Sequence, residues 1–229
     1  MTNSPINSKK RTPVLQYLGF VLMFVYLTIR LNSSSEIKTT GNLLVNSDFE
    51  TGNLNGWTSS GDVQVVNDCC MLNNVPSNYD VEFGDSGSIS QDFNLTSENI
   101  TQSMLNQGIE ITSLVEIQNG EGGLGGWAPN RGGADSFTIN LQIKDSDSNV
   151  LATSSQTRNT TTDINGAIFE DNLIYNGAGS NIGNITISGV DANAPSTLGG
   201  SNVDNILLTM QYNSAVLSAV ETQELNNTN

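Results

Sequence analysis

The sequence predicts an all-β chain: a two-sheet antiparallel sandwich of jelly-roll type behind an N-terminal apolar segment. Three observations predict it. Phe137, Ile139, Leu141 and Ile143 alternate with Thr138, Asn140, Gln142 and Lys144, the period-two pattern of a strand with one buried face. The polar load is carried by Asn, Ser, Thr and Gly, with 31 Asn, 22 Gly and only 14% charged residues, and these types favour turns and strands over helix. The 229 residues suffice for one full-sized core with tails.

Taken from the N-terminus, residues 13–31 read PVLQYLGFVLMFVYLTIRL. The apolar run from Val14 to Ile29 follows Lys9, Lys10 and Arg11 and is closed by Arg30. A bilayer span takes about 20 apolar residues, so this run stands at the lower limit. Two readings stay open, an uncleaved signal anchor and a cleaved signal peptide, although Arg30-Leu31-Asn32-Ser33 lacks the small residues of a cleavage site. In both, the basic N-terminus stays cytoplasmic and the chain from Asn32 onward is exported, extracellular or on the cell surface. The expected organisation is a basic stub and signal segment at 1–31, a polar tether at 32–41, the sandwich at 42–213 and a flexible tail at 214–229.

Shorter alternating runs continue the strand pattern: Val63/Val65, Ile89/Gln91/Phe93, Ile185/Ile187 and Ile206/Leu208/Met210. Ile109, Ile111, Val115 and Ile117 repeat it with Ser113 as a break. Turn clusters stand between them at Asn55-Gly56, 84–87 (GDSG), 145–149 (DSDSN), Asn165-Gly166, Asn176-Gly177 and 198–200 (LGG). About nine or ten strands follow, and no helical period is convincing within 42–213. Polar and apolar faces on nearly every strand mean two sheets packed face to face.

Charge narrows the partners. Beyond residue 31, 23 acids face only Lys38, Arg131, Lys144 and Arg158, a formal charge of −19. Nucleic-acid binding needs cationic groups to displace counterions, and adhesion to an anionic membrane surface fails for the same reason. Neutral glycans, cations and basic proteins tolerate such a field; solubility alone also accounts for it. There is no His, which removes the commonest general base and transition-metal ligand.

Residues 42–52, NLLVNSDFETG, followed by Gly56-Trp57, resemble the opening of galactose-binding-like jelly-roll domains, a group that includes many carbohydrate-binding modules. Val203-Asp204-Asn205-Ile206 resembles the group's closing strand. The resemblance spans about 42–212, with its specific motifs only at the two ends. It implies that first and last strands are neighbours. It also implies a structural calcium held by Glu50 and Asp204 with main-chain oxygen near Asp48, since Ca²⁺ takes about six to eight hard oxygens. Asp68 and Asp80 are both candidates for a further acidic ligand. The competing reading makes Glu50 and Asp204 ordinary turn and edge carboxylates.

Residues 120–133, GEGGLGGWAPNRGG, are the most unusual stretch. Trp127 beside Arg131, Asn130 and Glu121 has the chemistry to grip a sugar, with CH groups stacked on the ring and hydroxyls on the polar groups. A Trp folded back as a cap over the sandwich edge is the bland alternative; Trp57 reads as core. Cys69 and Cys70, the only cysteines, can close a vicinal disulfide, stay as free thiols or bond between molecules. Asp145-x-Asp147-x-Asn149 starts like an EF-hand loop, but Val150 stands where Gly is required and Gln156 where Glu is required, so it is rejected. Asn32, Asn94, Asn99, Asn159, Asn184 and Asn226 begin N-x-S/T triplets, meaningful only in a eukaryotic secretory route.

Enzyme motifs are absent: no G-x-S-x-G, P-loop or H-E-x-x-H, and no E-x-D-x-x-E run of jelly-roll glucanases. The function expected is that of a non-catalytic carbohydrate-binding module for a glycan or cell-surface polysaccharide, mediating surface recognition or adhesion, with membrane attachment through 14–29 if uncleaved. The alternative is a structural or interaction protein of a virion or extracellular appendage built on the same sandwich.

Overall fold

The structure, a computed structural model, describes residues 36–67, 79–97, 99–119, 135–160, 164–190 and 201–214. The second of its two compact units begins at Ile37. It holds strands β1 (Ile37–Thr39), β2 (Thr58–Asn67), β3 (Tyr79–Asn94), β4 (Ile109–Asn119), β5 (Asp135–Lys144), β6 (Val150–Thr160), β7 (Ile164–Tyr175), β8 (Ile182–Val190) and β9 (Ser201–Asn213), and one helical turn, α1 (Gln102–Leu105). Every strand pairing is antiparallel.

The hydrogen-bonded path runs β6-β5-β8-β3-β9-β4-β7, with β1 beside β9 and β2 beside β3. β3 turns this path into two layers. Its C-terminal half, Gly87 to Asn94, pairs with β8, while Val81 to Phe83 pair with β9. The first sheet is therefore β2-β3-β8-β5-β6 and the second β7-β4-β9-β1. The ends of the path meet: Ser154 Oγ on β6 donates to Asp171 Oδ1 on β7 at 2.7 Å. On the opposite edge, Gln91 on β3 takes Val45 N–H at 2.8 Å and donates to Val45 C=O at 3.0 Å.

The expected alternation holds. Phe137, Ile139, Leu141, Ile143, Ile185, Ile187 and Ile89 from one sheet and Ile109, Ile111, Val115, Ile117, Ile206, Leu208 and Met210 from the other are buried in one core. Ser113 also points inward and is fully buried, so the apparent break in the β4 pattern is a polar position within the core. The 145–149 cluster is the β5–β6 hairpin. Asp145 Oδ1 accepts from Asp147 N and Asn149 N at 2.9 and 2.8 Å, and Oδ2 from Asn149 Nδ2 at 2.9 Å. These bonds, Asn149's side chain foremost, hold the Asp145 carboxyl below its ordinary range, and they commit to a turn the carboxylate that resembled an EF-hand ligand.

Three expectations are corrected. Residues 84–87 are not a turn. β3 runs through them, and the β2 register slips from Gly61↔Gly87 to Val63↔Phe83. This is a bulge where β3 changes sheets, and a Cβ on Gly84 or Gly87 would overlap Asp62. Asn165-Gly166 likewise falls at a bulge in β7, between the pairs Ile117↔Ala167 and Asn119↔Ile164. The sandwich starts at Ile37, inside the expected tether, because Ile37 to Thr39 pair with β9. Among the described residues of 42–213 the helical content is the four-residue turn α1, too short to carry a helical period.

The opening motif is not a strand but an irregular segment hydrogen-bonded to the last strand. Leu43 N donates to Leu208 O, and Ile206 N to Ser47 O, both at 2.9 Å. Asn42 stands in for a strand backbone, donating to Ile206 O at 2.8 Å and accepting from Leu208 N at 3.1 Å. Asn46 ties the following loop together through Thr51 Oγ1 and Asn53 O, both at 2.8 Å, and its carbonyl takes Trp57 Nε1 at 3.1 Å. Phe49 is fully buried beside Trp57, with ring centroids 5.6 Å apart.

Candidate functional site

The three expected calcium residues have different surroundings. Asp48 and Glu50 are exposed. Asp48 Oδ1 takes Glu50 N at 3.4 Å, and Glu50 Oε1 takes Tyr79 N at 3.3 Å, at the start of β3. Asp204 is fully buried; its Oδ1 accepts from Asn205 N at 2.7 Å and its Oδ2 from Asn205 Nδ2 at 3.1 Å. Asn205 Nδ2 also reaches Glu116 Oε2 at 2.9 Å. Asp80, buried, lies next to the Val81↔Val203 pair and accepts from Asn202 Nδ2 at 3.0 Å. Among the described residues, no group of three or more Asp, Glu, Cys or His side chains is placed to hold one metal ion. The donors present, carboxylate and main-chain oxygens, are of the kind calcium takes. Asn46, Phe49 and Asn205 sit at φ of 49°, 51° and 46°, a left-handed conformation uncommon for a bulky residue such as Phe.

Trp127, Asn130, Arg131 and Glu121, the expected sugar contacts, lie outside the described residues, as do Cys69, Cys70, Asp68 and the apolar run 14–29. Among the described residues, no helix is long and apolar enough to cross a membrane. The strand ends around the Trp127 stretch are described. β4 ends at Asn119 and β5 starts at Asp135, and antiparallel register puts Asn119 opposite Ile164, Asp135 opposite Thr160 and Ser136 opposite Val190. The strand ends leading into 120–134, 161–163 and 191–200 therefore share one pole of the sandwich.

The outer face of the first sheet extends from that pole. Its cross-strand rows are Ser60–Ser88–Ser188–Thr138–Thr157, then Thr58–Ser90–Thr186–Asn140–Ser155, then Asp92–Asn184–Gln142–Thr153. Side chains within the face bond one another: Thr138 to Thr157 at 2.9 Å, Thr186 to Asn184 at 3.2 Å and Asn184 to Asp92 at 2.7 Å. Lys144 Nζ lies 3.5 Å from Asp92 Oδ1, so the two charges in this part of the face neutralise each other. On a chain of net charge −15, these rows form an electroneutral array of hydroxyls and amides. The outer face of the second sheet differs, exposing Ile168, Ile174 and Leu207 next to Glu110 and Glu170.

Sequence reasoning missed the array. In the sequence Thr138, Asn140 and Gln142 read only as the polar side of an alternating strand. The signal was the absence of Lys, Arg and Glu from those alternate positions, which becomes a pattern only when five strands are set side by side.

No family model and no curated protein matches the chain. Solved structures with a similar fold include the module TmCBM61 in complex with β-1,4-galactotriose, at 23% identity over 74% of this chain and 98% of that one, TM-score 0.46. They include the CBM22-1 xylan-binding domain of Paenibacillus barcinonensis Xyn10C, at 14% identity over 81% and 98%, TM-score 0.32. They also include the enzymatically active domain of bacteriophage CBA120 tailspike protein 4, at 15% identity over 73% of this chain, TM-score 0.45; this chain spans 21% of that one. The chain is an antiparallel β-sandwich, and its structural neighbours include carbohydrate-binding modules.

Proposed function

We propose that this chain is a non-catalytic carbohydrate-binding module, displayed outside the cytoplasm, that takes a neutral polysaccharide on the outer face of its first sheet. The electroneutral hydroxyl-and-amide array carries the reading. Sugar hydroxyls donate and accept, and so do Ser, Thr, Asn and Gln. An acidic glycan would need free cationic groups, yet Lys144 is engaged by Asp92. The stretch with Trp127, Asn130, Arg131 and Glu121 precedes Asp135, the start of β5, three residues before Thr138 in the first row of the face, which suits a stacking contribution at its rim. Export rests on the apolar run 14–29 behind its basic stub.

Each net hydrogen bond contributes about 1 kcal/mol. Asn140→Ala is therefore expected to weaken glycan binding about fivefold, with circular dichroism unchanged. Raised salt should have little effect, because no exposed ion pair drives the contact. An array of neutral and acidic glycans probed with the protein tests the proposal; an array with no neutral glycan bound ends it.

Calcium belongs to the same proposal. Its support is the family resemblance and the pairing of the Glu50 segment with the Asp204 strand through Ile206 N and Ser47 O. Chelation is expected to lower the melting temperature by at least about 2–4 °C, the shift that about 1 kcal/mol produces in a domain this size. Identical melting with calcium and with chelator removes the ion.

A second reading, a structural or interaction brick in a larger assembly, is favoured by one observation. Ile168, Ile174 and Leu207 are 54%, 61% and 41% exposed on the opposite face. Ile168→Lys would abolish assembly in that case and leave glycan binding intact.

A further inference from the structure

The edge where the two sheets meet between β6 and β7 has an unusual fastening. Among the described residues no strand pairing joins them. Two side-chain bonds do: Ser154 Oγ to Asp171 Oδ1 at 2.7 Å, and Arg158 Nη1 to Ile168 O at 3.4 Å. Asp171 is only 2% exposed. Its Oδ1 also takes Asn172 N at 2.9 Å, and Ser113 Oγ on β4 donates to its main-chain oxygen at 3.4 Å. Its Oδ2 is buried and has no hydrogen-bond partner among the described residues.

An ionised carboxylate oxygen left in this position is costly, because burial removes its water and nothing replaces it. Among the described residues no ion pair compensates for it. Among the described side chains, Arg158 on β6 reaches toward the Ile168 carbonyl. Glu110 on β4 and Glu170 on β7 lie on the outer face of their sheet, with Glu170 accepting from Asn172, and Glu116 on β4 is buried and accepts from Asn205. Lys144 on β5 pairs with Asp92 on the far side of the first sheet.

We infer that Asp171 is a proton-operated clasp: protonated, it holds the β6–β7 edge shut, and ionised, it admits water to Oδ2 and loosens that edge. β6 supplies the outermost column of the polar face, Thr153, Ser155 and Thr157, so the clasp also sets how wide that face is. This second part rests on the glycan-binding reading; the clasp itself does not.

The direction follows from linkage. Burial pushes the Asp171 carboxyl above its ordinary value of 3.8, against the opposing bonds from Ser154 and Asn172. The folded state therefore holds its proton where the unfolded chain has released it. Stability is fully present below the ordinary value and is lost as pH rises through the raised one.

The experiment is a carbon-13 NMR titration of the Asp171 carboxyl, joined to hydrogen exchange of β6 and β7 at a pH about one unit below and a pH about one unit above the midpoint it finds, corrected for intrinsic rates. The expected midpoint lies above 3.8, and protection in both strands is expected to be about threefold higher at the lower pH, a difference lost in Asp171→Asn. A midpoint at or below the ordinary value overturns the clasp, as does the same pH response in Asp171→Asn. Should that variant fail to fold, Ser154→Ala keeps the test open: losing the Oδ1 donor must raise the midpoint further, and an unchanged midpoint overturns the proposal. Glycan affinity should be higher below that midpoint than above it; a flat affinity with the clasp intact overturns only its coupling to the face. Absence of any glycan binding would strike the functional reading and leave the titration and exchange to decide the clasp.

Discussion

Phe49→Ala is expected to lower the free energy of unfolding by about 3–5 kcal/mol. Phe49 is fully buried, and its ring packs at a 44° tilt against Trp57, an arrangement that adds about 0.5–1.5 kcal/mol beyond area burial. The residue also sits at φ 51°, a conformation its side chain would not choose alone, so tertiary packing must hold it there. Without the ring, Trp57 loses its main partner and the 42–57 segment loses its anchor. The bonds from that segment to Leu208 and Ile206 then stand on their own. Domains of this kind hold about 5–15 kcal/mol in all, so the variant should be close to unfolding. Urea denaturation followed by circular dichroism measures it. A loss under about 1 kcal/mol would mean that Phe49 does not anchor the segment.

Gly183→Val is expected to cost about 3 kcal/mol or more. Gly183 pairs with Phe93 across β8 and β3, and a Cβ there would overlap the Phe93 ring; Gly189 stands in the same relation to Phe83. Both glycines leave room for a large aromatic on the next strand, so the inner face of β8 reads Gly, Ile, Ile, Gly. The same measurement applies, with a built-in control. Phe93→Ala should rescue much of the loss in a double-mutant cycle, because the two substitutions compete for one volume. Additive losses would show that the overlap is relieved elsewhere.

The fold was readable where burial is one-sided. On β5 and β8, alternate residues meet either core or water, so a period of two appears directly in the chain. It was not readable at 84–87, where Gly, Asp, Ser and Gly resemble a turn but serve to bend β3 from one sheet to the other. Ile37 to Thr39 escaped notice because a three-residue edge strand, exposed throughout, leaves no periodic trace. The opening motif correctly placed the first segment beside the last strand. What its residues do emerged only in three dimensions: Asn42 imitates a strand, Asn46 ties a loop, and Phe49 with Trp57 fastens both.

The linear chain determined the layered β architecture and the acidic field, because both depend on residue type and local period; the placing of 42–52 beside the last strand came from the resemblance to jelly-roll domains. Tertiary structure alone decided which polar residues assemble into one neutral face, since Thr138, Ser188, Ser88 and Thr157 become a row only through strand register. It also decided that Asp171 is enclosed while Glu170, one residue before it, is exposed. A side chain's solvent is set by the strands packed across from it, and those lie far away in sequence.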